Sequence, residues 1–150
     1  MKKILSLLVV LFCAVGMVSA QTIDKQAWKE AKKTAKDLEK TGWILKSPGD
    51  LAMCLYAFDA TVKEGNCAPI VEEATSSLIQ VAEDKAKTYA MEAAVKQIFP
   101  DAADVVVDFD SCLRHSITLL RFERGGHTTC RVYYLLDKKA AARCKAVVND

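Results

Sequence analysis

Two short spacings bring together the residue types of metal and thiol chemistry: Cys112-x-x-His115 and His127-x-x-Cys130. Zinc takes four N or S ligands in a tetrahedron, so two cysteines and two histidines at local spacing suggest a structural zinc site. The same residues offer an enzyme a Cys–His pair, Cys130 with His127 for instance, in which the imidazole draws the proton off the thiol. Both readings need the side chains to converge. Gly125-Gly126 signals a two-residue hairpin between strands at 116–124 and 127–136. That places His115 and His127 at opposite ends of the pair, several residues apart at about 3.3 Å each. Residues three apart on one strand also point to opposite faces, which separates His127 from Cys130. Solvated or locally bonded histidines are the expectation, and the metal set Cys112, His115, His127 and Cys130 is disfavoured.

Other catalytic patterns are absent. The chain has no Gly-x-Ser-x-Gly and no His-Glu-x-x-His, and no Ser-x-x-Lys beyond residue 20. Gly125-Gly126 precedes a strand rather than a helix, so it cannot serve as a phosphate loop. Asp101, Asp104, Asp108 and Asp110 fit no EF-hand and read as solvated carboxylates. No catalytic residue and no cofactor is expected.

The surface feature that points to binding is a lysine face. Over residues 21–41, Lys25, Lys29, Lys32, Lys33, Lys36 and Lys40 fall in a wedge about 100° wide at helical spacing. Ala27, Trp28, Ala31, Ala35 and Leu38 gather roughly opposite. Contact with an anionic surface is the functional reading, and a plain solvated face is the bland one.

The elements that position these residues follow from periodicity. Gly42 suits the left-handed residue closing the first helix, with Trp43 folding back on Leu38. Ser47-Pro48-Gly49-Asp50 reads as a second helix start, Ser47 capping and Pro48 at the first position. Leu51, Cys54, Leu55, Phe58 and Val62 then keep helical spacing to Gly65. Ile70-Val71 suggests a strand that Pro69 confines to an edge or a strand start. Ser77 to Gln80 reads as a capping box for a helix that runs to Phe99 before Pro100. Val105-Val106-Val107 with Phe109 is a short strand, and residues 138–148 form a terminal helix. In the two-residue hairpin register Leu119 faces Val132 and Ile117 faces Tyr134. Those four then form one core face beneath the helix at 78–99. The fold class is α+β: two N-terminal helices, then β-α-β-β-β in a mostly antiparallel sheet covered on one face by helices, and a short C-terminal helix.

Lys2-Lys3, an apolar run and Val18-Ser19-Ala20 make residues 1–20 a signal peptide, cleaved before Gln21. Phe12 before Cys13 disfavours lipidation there. Lys2 and Lys3 account for the whole formal net charge of +2, so the exported part is neutral and nucleic-acid binding is not expected. Residues 21–47 form the lysine-alanine helix and a linker, and residues 48–150 the α+β domain, with no transmembrane span after the leader. In an oxidising periplasm or outside the cell, Cys54, Cys67, Cys112, Cys130 and Cys144 are disulfide candidates. The odd number leaves one unpaired or linked between chains, and Cys54 sits in an apolar stripe that favours burial.

The run from Trp28 through Lys29, Lys32-Lys33 and Lys36 to Gly42-Trp43 resembles a group of small exported proteins of Gram-negative bacteria, whose mature chains open with a lysine- and alanine-rich helix ending in Gly-Trp. The stretches 70–75, 82–94 and 132–137 are similar in pattern to the strand–helix–strand part of small outer-envelope lipoproteins. The resemblance implies an envelope protein and carries over no catalytic residue. This chain departs from it in lacking a lipidation site and in its extra cysteines. The leading expectation is a non-enzymatic exported domain that binds an anionic envelope surface or an envelope protein. The alternative is a small periplasmic hydrolase or thiol-dependent enzyme using Cys and His.

Overall fold

A computed structural model describes residues 23–101, 107 and 109–144. The expected leader and cleavage point before Gln21, and Val105 and Val106 of the expected strand, lie outside them. The order is α1 (Lys25–Lys40), β1 (Trp43–Leu45), α2 (Leu51–Lys63), β2 (Cys67–Ser76), α3 (Ile79–Ile98), a 3-10 turn (Phe109–Ser111), β3 (Leu113–Phe122), β4 (Thr128–Asp137) and α4 (Lys138–Arg143). The strands form one antiparallel sheet in the order β1-β3-β4-β2. The class is α+β. Phe109 opens the 3-10 turn rather than ending a strand, and α4 is described only to Arg143, short of the expected 148. No helix among the described residues is long and apolar enough to cross a membrane.

Local chemistry sets the helix ends. Asp24 caps α1 by accepting from the N–H groups of Gln26 (2.9 Å) and Ala27 (3.2 Å). Gly42 closes α1 at φ +88°, as the sequence predicts. Trp43 drops into the core at 2 % exposure beside Leu38. The second helix starts later than expected. Asp50, not Ser47, is its cap, with the carboxylate accepting from Met53 N–H at 3.0 Å. Nor does a capping box form at α3, whose cap position is Leu78 with no side-chain bond.

Helices cover both faces of the sheet, not one. α3 lies over β2 and β4 on a stripe of Ala82, Ala86, Ala90 and Ala94, each 0 % exposed. Four methyl groups one turn apart let the helix approach the sheet closely against Ile70, Cys130, Val132 and Tyr134. α1 and α2 close the other face with Ala31, Ala35, Leu51, Leu55 and Phe58 against Ile117, Leu119, Tyr133 and Leu135.

The register explains why one expected core splits into two. Leu119 faces Arg131, Thr118 faces Val132 and Leu120 faces Cys130, one residue off the two-residue hairpin pairing. Glu123 N–H still bonds His127 C=O at 2.8 Å. The loop is therefore Arg124-Gly125-Gly126, with φ of +91° and +80° at the two glycines. Because side chains alternate, one added loop residue moves a strand's whole set to the other face. Ile117 and Leu119 thus lie under α1 and α2, while Val132 and Tyr134 lie under α3. They are not one face.

Candidate functional site

A charged cluster that the sequence patterns do not single out sits where α3 meets the β1 and β3 side of the sheet. Glu83 extends from α3 beside the alanine stripe, and its side chain is only 6 % exposed. Its two oxygens receive two ammonium groups: Lys87 one turn on, at 2.9 Å, and Lys46 just past β1. Lys46 is held in place by its own N–H, which donates to Thr118 C=O at 3.0 Å. Burial alone would push the Glu83 carboxyl up. The hydrogen bonds from Lys46 and Lys87 outweigh that and hold it below the usual range. Glu83 in turn raises Lys87.

Beneath this pair the sheet carries His115, Thr118, Cys130 and Tyr134. Three positions apart on a regular strand, His115 and Thr118 would face opposite sides. The β3 register shifts between His115 and Ile117, leaving Ser116 as an extra residue. The bulge turns both onto the α3 face, where His115 Nε2 and Thr118 Oγ1 share a hydrogen bond of 2.7 Å. The imidazole also meets the Tyr134 ring edge-on at 5.3 Å. Burial and then the Lys87 charge lower the His115 pKa, so the ring is neutral at pH 7. Burial and the Glu83 charge raise the Cys130 thiol to about 11, which keeps it protonated. The Glu83–Lys46 pair ties α3 to the end of β1, above a floor made of a neutral histidine bonded to a buried hydroxyl and a sealed thiol.

The structure does not bring Cys112, His115, His127 and Cys130, the disfavoured metal set, together. Cys112 and His115 stand at the start of β3, Cys130 near the start of β4, and His127 in the hairpin turn. His127 is seven strand positions from Tyr134, the partner of His115, and so roughly 23 Å from it along the strand. No three His, Cys, Asp or Glu side chains among the described residues could hold a metal ion. A cleft of about 410 Å³ at the start of β3 is lined by Cys67, Cys112, His115 and Asp137, among others. Its two cysteines belong to different cores, Cys67 to the one under α1 and α2 and Cys112 to the one under α3. None of the disulfide candidates Cys54, Cys67, Cys112, Cys130 and Cys144 is bonded to another in the structure. Burial raises the Cys54 pKa, in keeping with its place in the apolar stripe of α2.

The lysine face stands as the helical spacing implies. Lys25, Lys29, Lys32, Lys33, Lys36 and Lys40 are all exposed, while Ala31 and Ala35 on the opposite side are 2 % and 4 % exposed. Among the described residues one of the six makes an ion pair, Lys40 with Asp37 at 3.8 Å. Lys32 lies 5.1 Å from the centroid of the Trp28 ring, which packs edge-on against Tyr56. Tyr56 accepts from Asp24 N–H through its hydroxyl at 3.2 Å and ties the start of α1 to α2.

Compared with known proteins, the chain matches no family model, no curated protein and no solved structure. The signal for the charged cluster was present but indirect. Glu83 and Lys87 are spaced as a helical ion pair on a face otherwise made of alanine. Nothing in the sequence marks Lys46 as their partner, or Ser116 as a bulge.

Proposed function

We propose that the protein is an exported, non-catalytic domain that docks peripherally on anionic lipid headgroups of the cell envelope through the lysine face of α1. The observation that carries this reading is the arrangement of charge: six exposed lysines in one wedge, with one ion pair to them among the described residues. The apolar side of α1 is already buried against α2 and β1. The helix therefore has no free apolar face to insert, and contact would be electrostatic, at about 1 kcal/mol per lysine that reaches an anionic surface. The rival, a hydrolase or thiol-dependent enzyme, needs a concave site that holds a histidine beside a cysteine. The cleft at the start of β3 does place His115 near Cys67 and Cys112, but both cysteines are buried and the His115 Nε2 is taken by Thr118. Cys130 is buried and protonated, and His127 lies in the turn.

Co-sedimentation with vesicles tests the proposal. The purified chain should bind vesicles containing phosphatidylglycerol at low salt, should not bind phosphatidylcholine vesicles, and should release as salt shortens the screening length. Lys29→Gln, Lys32→Gln and Lys36→Gln together should cut binding at least tenfold. Equal binding to neutral vesicles, or an unaffected triple variant, refutes it.

A further inference from the structure

We infer that the outer edge of β2 and the adjacent flank of α3 form a homodimer interface, in which two copies join their sheets antiparallel about Val71. The reasoning starts from which backbone groups are unspent. Among the described residues β2 is an edge strand of ten residues, paired on one side only, with β4. Lys46 N–H bonds Thr118 C=O, so Thr118 turns its backbone groups toward β1. Its β4 partner Val132 must then turn toward β2, where it pairs with Glu72. Alternation leaves Pro69, Val71, Glu73 and Thr75 directed outward. Pro69 fits that parity, since a residue without N–H belongs on the solvent side of an edge. Among the described residues no other backbone group bonds the outward positions. A long, regular edge of this kind is a template for another strand.

The side chains select a second copy as the occupant. Val71, 42 % exposed, would meet the partner's Val71. In that register Glu73 lies opposite the partner's Pro69, and Glu72 opposite the partner's Ile70. Centring the pair on Glu72 or Glu73 instead would set glutamate directly against glutamate, which is destabilising.

The helix layer agrees. α3 sits over β2 and β4, so its axis lies about half a strand spacing inside the edge. With strands about 4.8 Å apart, the two α3 axes would come about 10 Å apart, within the range at which helices pack. Val71 lies five residues back from Ser76, about 17 Å, and at 1.5 Å per residue the matching point on α3 is close to residue 90. Around the alanine stripe, Glu83 and Lys87 occupy one flank, facing Lys46. Lys85, Tyr89 and Glu92 fall on the other, beyond β2. Tyr89, 43 % exposed, therefore stands near the two-fold axis, and Lys85 is set against the partner's Glu92. The same axis puts both lysine faces on one side of the joined sheet. That consequence rests on the lipid-docking reading; the dimer does not.

Sedimentation equilibrium of the purified chain, from low micromolar to sub-millimolar concentration, tests the interface. The wild type should reach twice the chain mass. Val71→Pro removes an outward N–H and leaves the β2–β4 ladder intact, and Tyr89→Glu sets two like charges at the axis. Each should return the monomer mass with an unchanged far-ultraviolet circular dichroism spectrum. A wild type that stays monomeric throughout, or a dimer that survives in Tyr89→Glu, overturns the inference. The lysine triple variant should remain dimeric, so loss of lipid binding and loss of the dimer are told apart.

Discussion

Replacing Glu83 by Gln tests whether the cluster under α3 holds the fold together. The carboxylate is 6 % exposed and takes both ammonium groups, while the side chains of Lys46 and Lys87 keep 41 % and 35 % exposure. A hydrogen bond to a charged group is worth about 1.5–3 kcal/mol. Two would give about 3–6 kcal/mol, but the lysines can turn to water and glutamine retains one acceptor oxygen, so about 2 kcal/mol is expected at pH 7. For a domain of this size that lowers Tm by about 8 °C. Because the folded pKa of Glu83 lies below its ordinary 4.5, the stabilisation is complete above that pH. It is lost as pH falls through the depressed value. Urea unfolding of both proteins across pH should show a full gap at neutral pH that closes in acid. A gap under about 0.5 kcal/mol at pH 7, or one that persists undiminished in strong acid, refutes the assignment.

Gly42→Ala should cost about 1–2 kcal/mol in urea unfolding, because φ is +88° while the added Cβ makes only ordinary contact with Arg121 Cγ at 3.6 Å. A cost near zero would mean α1 does not close through that residue. In native protein at pH 8, iodoacetamide should leave Cys130 unlabelled and reach it only in urea, since its pKa is raised to about 11 and it is 0 % exposed. Labelling of Cys130 at the rate of half-exposed Cys54 would contradict its burial. The lysine triple variant should unfold within about 0.5 kcal/mol of wild type, as exposed substitutions do. A larger loss would show that the stripe serves the fold rather than a partner.

Elements with local signatures were legible in the sequence. The lysine and alanine sides of α1 segregate as 3.6-residue periodicity requires, Gly42 takes the left-handed turn, and Pro69 marks β2 as an edge. β1 has no such signature, because Trp43–Leu45 is three residues long and its partner is the distant β3. The Ser47-Pro48 pair resembles a cap and points to a helix start there. Asp50 wins that place since its carboxylate meets the Met53 N–H.

Single inserted residues decided what the sequence could not reveal. A three-residue loop in place of a two-residue one sends Ile117 and Leu119 to one core, and Val132 and Tyr134 to the other. Both faces are then apolar enough to take helices, so α1 and α2 pack against a sheet expected to be bare on that side. The bulge at Ser116 acts in the opposite sense. It reverses the alternation for the start of β3 and brings His115 back to the face of Thr118. The strand-parity rule that separates residues three apart therefore fails at the one place where β3 is irregular. β4 pairs without irregularity from Thr128 through Cys130, and His127 lies before it in the turn. That asymmetry sets His115 against Thr118 and Tyr134 on the face beneath α3 and leaves His127 in the turn, although the two sit in mirror-image motifs.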